Sequence, residues 1–333
     1  MYISICILNY NGKKFIDACL GSIRNLHFPE GQYEVVFADN ASSDDSVDWV
    51  RTHYPEARIV VHPKNYGFAK GNNLAVKECR GDYVFFLNND TAVDPNCLSA
   101  LAQAVKQYPD ADFFGSKLLI QAQPDHLNSA GITHTIIGAG YDRGFGRLDT
   151  EEYEKNALVG GVSGAAMLVK KQRFADLGMF DDDYFMYFED VDLCLRNLLL
   201  GGKSVFVSRS IVYHAVGGSA GGHRNNFRLY YGTRNRLTTL VKNFPIGGII
   251  VGFVVSVLFD LTVMVAALLR GNFKAPWTIL RAYAGFMVSL RAALSKRRMV
   301  QIRRSVSMAE LKRQHLVVDL IQSVREYYKL RHA

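Results

Sequence analysis

A chain of 333 residues that is 49% hydrophobic and 21% charged, with mean hydropathy at zero, is neither disordered nor collagen-like. It has room for one large domain with an appendage or for two modest ones. The net charge of +8 is unevenly placed: residues 1–241 hold 24 Lys and Arg against 27 Asp and Glu, whereas residues 242–333 hold 15 against 4. The basic excess belongs to the last quarter of the chain and needs a local cause. Five cysteines (Cys6, Cys19, Cys79, Cys97, Cys194) lie at no zinc spacing, and their odd number argues against a complete disulfide framework, so a reducing compartment is expected. The first residues read directly as strand, and no secretory signal is expected.

Ile3 to Leu8 reads as a buried strand, Asn9 to Gly12 as a turn, and Phe15 to Ile23 as a helix with Phe15, Ala18, Cys19 and Ile23 on one face. Glu34 to Ala38 is a second strand ending at Asp39-Asn40, and Ser42 to Asp45 offer caps for a following helix. Arg58 to Val61 and Tyr83 to Leu87 supply a third and a fourth strand, the latter ending at Asn88-Asn89-Asp90. Strands alternating with helices predict a mostly parallel sheet, in which ligands sit beyond the carboxyl ends of the strands. Residues 111–160 are glycine-rich and less regular. Gly164 to Val169 reads as strand, Arg173 to Leu177 as a short helix, Asp190 to Leu200 as a helix with an acidic first turn, and Ser204 to Val207 as strand. Tyr213-His214 is expected to open a loop holding Gly217, Gly218, Gly221 and Gly222. No internal repeat of 20–50 residues is present.

Several groups could carry chemistry. Asp90 should emerge at a strand end, where a hard divalent cation could bridge it to a diphosphate; a turn aspartate is the competing reading. Glu189-Asp190 follows the aromatic run Tyr184 to Phe188. Helix-dipole complementarity accounts for acidic residues there, but a carboxylate walled by rings can also be tuned toward a general base. His214 reads as a metal ligand, a phosphate contact or a loop histidine. The segment Asn65 to Asn73 is a glycine-punctuated loop entering a helix, with amides and Lys70 able to meet phosphate, yet it has neither dinucleotide-fold nor P-loop spacing.

In this order the segments resemble glycosyltransferase family 2, the inverting GT-A enzymes, and within it the bacterial rhamnosyltransferase-like branch. The matching stretches are Ser4 to Asn11, Ala38 to Asp44, Asn65 to Asn73, Phe86 to Asp90, Ser163 to Val169, Phe185 to Cys194 and Val212 to His214, spread over residues 3–236. The resemblance implies an α/β GT-A nucleotide-diphospho-sugar transferase fold, with a mostly parallel central sheet flanked by helices. Asp39 would read the nucleotide base beside Asn9, Tyr10, Asn11 and Asn40, and Lys70, Asn72, Asn88, Asn89 and Gly164 would line the donor site. Asn88-Asn89-Asp90 takes the place of the DxD motif, with Asp90 holding Mg²⁺ or Mn²⁺ and His214 as a further ligand. Asn88 replaces the first Asp, which removes one negative charge. Asp190, with Glu189 beside it, matches the general base.

Ile246 to Leu269 is 24 residues long and apolar apart from Asp260, enough to cross a bilayer. A single crossing would export the basic residues that follow, against the positive-inside tendency, and a hairpin would bury Arg281 and Arg291. In-plane or re-entrant helices avoid both costs, and the interleaving of basic and aliphatic residues favours an anionic membrane surface over nucleic acid. A hairpin and a soluble helical or dimerisation region stay open, the latter pairing two copies through these helices.

The sequence is thus read as a catalytic domain, 1–236, and a basic helical membrane-associated extension, 237–333. The expected activity is metal-assisted, inverting transfer of one sugar, rhamnose being a candidate, from a dTDP- or UDP-sugar to a glycan or lipid-linked glycan of the cell envelope, at the cytoplasmic face of the membrane. Rival readings are a sugar-1-phosphate nucleotidyltransferase, whose N-terminal glycine-rich loop with Arg is missing, and a non-catalytic glycan- or nucleotide-binding module, which would not need both Asp90 and Asp190. A processive synthase is disfavoured, since no QxxRW motif is present.

Overall fold

The structure is a computed structural model that describes residues 1–215, 226–319 and 321–322. The chain opens with β1 (Ile3–Asn9), α1 (Lys13–Arg24), β2 (Tyr33–Asp39), α2 (Ser46–His53), β3 (Arg58–Val61), α3 (Gly67–Val76) and β4 (Tyr83–Asn88). β5 (Thr91–Val93), α4 (Cys97–Gln107), β6 (Phe113–Ile120), β7 (Gln123–Ser129), β8 (Ile132–Thr135), β9 (Gly140–Asp142) and β10 (Ala157–Val159) follow. Next come β11 (Ala166–Lys170), α5 (Lys171–Asp176), α6 (Glu189–Leu199), β12 (Ser204–His214), α7 (Asn226–Asn243), α8 (Ile246–Leu269), α9 (Lys274–Arg303), α10 (Met308–Arg313) and β13 (Val317–Val318).

The main sheet runs β10-β12-β6-β11-β4-β1-β2-β3, with β5 beside β12 and β7 beside β6. The four strands expected from the sequence are mutually parallel, β11 is antiparallel to both its neighbours, and β6 is parallel to β12. Alternation divides the core into two layers. Ile3, Ile5, Ile7, Phe85 and Leu87 face α1 and α4, while Cys6, Val36, Val84, Phe86 and Met167 face Phe174, Phe180 and Leu193 on the other side. Rings of Phe86, Phe174 and Phe180 meet at 5.1 Å, each buried ring contributing about 1.5–3 kcal/mol. All five cysteines are buried and free.

Some expectations need correcting. The inward stripe of α1 is Ile16, Cys19, Leu20 and Ile23, so Ala18 faces out and Phe15 is only half-buried. Residues i, i+3, i+4 and i+7 share one helical face, and the expected stripe was turned off it. The strand expected to end at Val207 runs on as β12, past a register shift between Val207 and Ile211, and ends at His214. The glycine-rich loop expected at Gly217 to Gly222 lies outside the described residues. The boundary expected between 236 and 237 lies within α7, whose buried residues run from Thr233 to Asn243. Lys242 pairs with Asp181 and Asp192 at 2.7 Å each, and β13 pairs with β8.

The α8 helix buries one narrow row, Gly252, Ser256 and Asp260. Arg236 of α7 bonds Ser256 and meets Asp260 at 2.7 Å, and Tyr283 of α9 donates to the same carboxylate at 2.7 Å. The one acidic residue of the apolar helix is therefore neutralised within the protein. Its other faces leave Ile250, Val254, Leu258 and Val265 more than half exposed.

Candidate active site

Register brings the first cluster together. Asn9 and Asp39 are paired at the ends of β1 and β2, and Asn88 is the partner of Leu8 at the end of β4. Asn89 Nδ2 donates to Asn9 Oδ1 at 2.7 Å, and Asn9 Nδ2 donates to Asp39 Oδ1 at 2.9 Å. Ser42 donates to Asp39 from both its hydroxyl, 2.6 Å, and its backbone N–H, 2.8 Å. Asn11, at φ +50°, accepts from the Ser43 N–H, tying the β1 and β2 loops together. A Cβ on Gly12 would overlap both Asn89 Nδ2 and Asn9 Oδ1, so only glycine fits there. Tyr10 stands half exposed at the edge of this cluster.

Other residues expected at the donor are placed differently. Asn40 holds the Asn65–Gly67 turn, donating to Asn65 Oδ1 and to the Gly67 carbonyl. Asn72 is buried against the Cys6 thiol and donates to the Phe68 carbonyl, so it serves packing within the fold. Lys70 is half exposed and lies 3.3 Å from Asp182. The N-terminus of α3, expected to meet phosphate, is closed by protein: the N–H groups of Phe68 and Ala69 donate to the Phe185 carbonyl at 2.5 and 3.3 Å. A helix start already capped in this way has lost its leading donors.

Asp90 and His214 come together because β5 pairs antiparallel with the end of β12, setting His214 opposite Thr91. His214 Nε2 lies 3.3 Å from Asp90 Oδ1, and the Ala215 N–H donates to the Asp90 carbonyl at 2.9 Å. His214 Nδ1 is 2.7 Å from Asn128 Oδ1. A histidine donating there presents the Nε2 lone pair to a carboxylate oxygen, an arrangement suited to a shared cation. The described residues contain no group of three or more His, Cys, Asp or Glu donors. Asp90 and His214 fit a metal only as a pair whose remaining ligands come from an oxygen-rich substrate.

Asp190 lies in the first turn of α6 and is half-buried. Its Oδ2 accepts from the Gly164 N–H at 2.9 Å and its Oδ1 from the Val191 N–H at 2.7 Å. Burial lifts its carboxyl above the ordinary range, and these backbone donors hold it partly down. Gly164 sits one residue before Ala165, whose carbonyl receives the Asn88 N–H, so one loop touches both Asp190 and the end of β4. Glu189 is buried with Oε2 unpartnered among the described residues. Burial first, then the Asp190 charge, pushes its carboxyl well up and favours the neutral form.

Two residues were missed by the sequence reading. Asp142, on β9, is pushed up to about 6 by burial, with Asp190 raising it further and Arg228 and His214 opposing. It is a third carboxylate in the field of Asp190, and no local pattern marks it. Asn235, fully buried on α7, donates to the carbonyls of Tyr184, Met186 and Tyr187 at 2.9, 3.0 and 2.8 Å. Phe185, Tyr187 and Phe188 in that turn all have φ between +60° and +71°, a costly region for bulky residues. The strain directly precedes Glu189 and Asp190.

A mostly parallel sheet with a polar cluster at its carboxyl ends, an Asp–His pair on β5 and β12, and an acidic helix start facing them define a GT-A nucleotide-sugar transferase. Residues 4–176, more than half of the chain, match the Glycosyl transferase family 2 model, and the chain belongs to that family, in its rhamnosyltransferase-like branch. It is 30% identical over 217 residues to the N-acetylglucosaminyl-diphospho-decaprenol L-rhamnosyltransferase of Mycobacterium tuberculosis, covering 58% of this chain and 69% of that one. It is 25% identical to the rhamnosyltransferase WbbL of Escherichia coli, over 64% of this chain and 81% of that one. Among solved structures, Staphylococcus aureus TarS residues 1–349 with UDP-GlcNAc aligns at TM-score 0.55 and 17% identity, covering 91% of this chain and 88% of that one. GalNAc-T7 with UDP, GalNAc and Mn²⁺ aligns at TM-score 0.59 and 14% identity, over 73% of this chain and 48% of that one. The protein is a glycosyltransferase that uses a nucleotide sugar.

Proposed function

We propose that the enzyme transfers one sugar, rhamnose from a dTDP donor being the first candidate, with inversion onto a hydroxyl of a lipid-linked glycan. The observation that carries this reading is the position of Asp190, fixed by two backbone N–H groups while half-open to solvent and lifted toward basic service. Inversion needs the acceptor hydroxyl to attack opposite the leaving diphosphate. Asp190 takes the proton from that hydroxyl as it becomes acidic. Asp90 and His214 would hold Mg²⁺ or Mn²⁺, which when bound offsets charge on the leaving diphosphate. Asp39, with Asn9 and Ser42 oriented on it, faces the nucleotide base at the strand ends.

The names of two relatives support rhamnose, and that of the Mycobacterium tuberculosis relative supports a decaprenyl-linked acceptor. The exposed apolar faces of α8 and α9 and the basic excess after residue 241 support association with the cytoplasmic face of an anionic membrane, by in-plane helices. Incubating the purified chain with a panel of dTDP-, UDP- and GDP-sugars, with and without EDTA, tests the donor and the metal together. Turnover confined to dTDP-rhamnose and abolished by EDTA is expected; equal turnover in EDTA removes the cation from the account.

A further inference from the structure

The glycosyltransferase reading leaves the acceptor's route to Asp190 unassigned. The strained turn before α6 carries Phe185 and Tyr187, and both pack on Phe227 of α7 with ring centroids 6.2 Å apart. Phe185 also stacks on Tyr231 at 5.3 Å with planes 21° apart, and Phe227 meets Tyr231 at 4.8 Å. Rings serving only as core would be covered, yet Phe227 is 41% exposed and the other three are half-buried. Phe185 and Tyr187, five and three residues before Asp190, join Phe227 and Tyr231 of α7 in one wall of aromatic faces and edges.

Three guanidinium groups flank this wall: Arg228 lies over the Tyr187 ring at 5.7 Å, and Arg234 and Arg281 meet the tyrosines of α7. Arg234 lies over the Tyr231 ring, and Arg281 of α9 lies over Tyr230, the neighbour of Tyr231 in sequence and, at 5.0 Å, in space. Neither Arg234 nor Arg281 has a carboxylate partner among the described residues; Arg234 donates instead to the Asp183 carbonyl and to Asn235. Arg281 stands one helical turn beyond Trp277, which is 64% exposed, and next to Leu280, which is 52% exposed. From there the exposed apolar row continues along α9 through Met287 and Val288. The wall thus joins the turn that precedes Asp190 to the arginines and, through Arg281, to the exposed apolar row of α9.

We propose that this strip is the acceptor site, and that it takes a sugar joined through a diphosphate to a polyprenyl chain. The sugar ring packs its C–H face on Phe227 and Tyr231 and turns a hydroxyl to Asp190. The diphosphate lies at Arg234 and Arg281, whose planar forks suit its oxygens. The isoprenoid follows the apolar face of α9 into the lipid. A glycan without a lipid diphosphate would use the rings but have no need of cations leading to an apolar face.

Farnesyl diphosphate is the probe, titrated into the full chain in detergent, in EDTA and with saturating UDP so that the donor site is neither metal-loaded nor free. Wild type should bind it, and Arg281→Ala should weaken binding at least tenfold. Arg281→Lys should recover part of the loss, and Phe227→Ala should leave probe binding within about threefold. UDP affinity should stay unchanged in all three variants. Equal binding of farnesyl diphosphate by wild type and Arg281→Ala, or equal binding of farnesol, overturns the assignment. Failure of wild type to bind UDP would instead count against the glycosyltransferase reading itself.

Discussion

Asn235 shows how much of this site depends on one side chain remote from it in sequence. Its amide serves three carbonyls of a turn in which three bulky residues occupy the left-handed region. Unsatisfied buried carbonyls cost about 1–3 kcal/mol each, so the clamp is what keeps the turn, and with it Asp190, in place. Asn235→Ala is expected to lower kcat at least tenfold with donor KM nearly unchanged, and amide exchange in residues 185–190 should accelerate; unchanged exchange would count against the clamp. Asp142 supplies a titration. Its carboxyl is raised on folding to about 6, so the folded state binds the proton more tightly and stability falls as pH rises from about 4 to about 6. Asp142→Asn should therefore gain about 1–3 kcal/mol at pH 8, by urea midpoint, and the gain should vanish below pH 4. The positions of Asp39 and Asp90 at strand ends and of Asp190 at a helix start were legible from sequence, because such ends announce themselves. Asp142 and Asn235 were not, since each acts on a segment some 50 residues away and neither ends a run of characteristic pattern.

At the level of elements, the alternation of β1 to β4 was readable because period-2 apolar runs separated by amphipathic helices leave few other folds. The length of β12 was hidden, because a register shift after Val207 interrupts the pattern that would have carried it to His214. The α3 start looked like an anion site from its glycines and amides, yet a carbonyl from residue 185 occupies it, a long-range fact no local motif encodes. The α8 helix looked like a span interrupted by Asp260. The partner that makes the aspartate tolerable, Arg236, is the last residue assigned to the catalytic domain from sequence, and no helix was expected there. Removing one member of such a buried pair strands the other. Asp260→Ala should cost about 3–5 kcal/mol, seen as a fall in melting temperature, whereas Arg236→Met with Asp260→Leu should recover most of it. If the single and the double variant melt together, the pair does not anchor α8.

The whole molecule divides its charge by task. The first 241 residues, slightly acidic, meet an anionic donor with aimed groups, while the basic excess follows the apolar α8, on α9 and beyond it. That combination suits helices lying in a headgroup layer, held by lipid contact and by anionic charge together. The chain should float with phosphatidylglycerol vesicles, bind phosphatidylcholine vesicles at least fivefold less, and come off membranes in alkaline carbonate; full resistance to carbonate would show a crossing helix instead. The central claim is narrower, that Asp190 is the base for sugar transfer. Its most direct test is single-turnover transfer by Asp190→Asn beside wild type, with nucleotide affinity measured on the same samples. The rate should fall by about 10²–10⁴ with nucleotide binding intact; transfer at the wild-type rate would remove Asp190 from the base role.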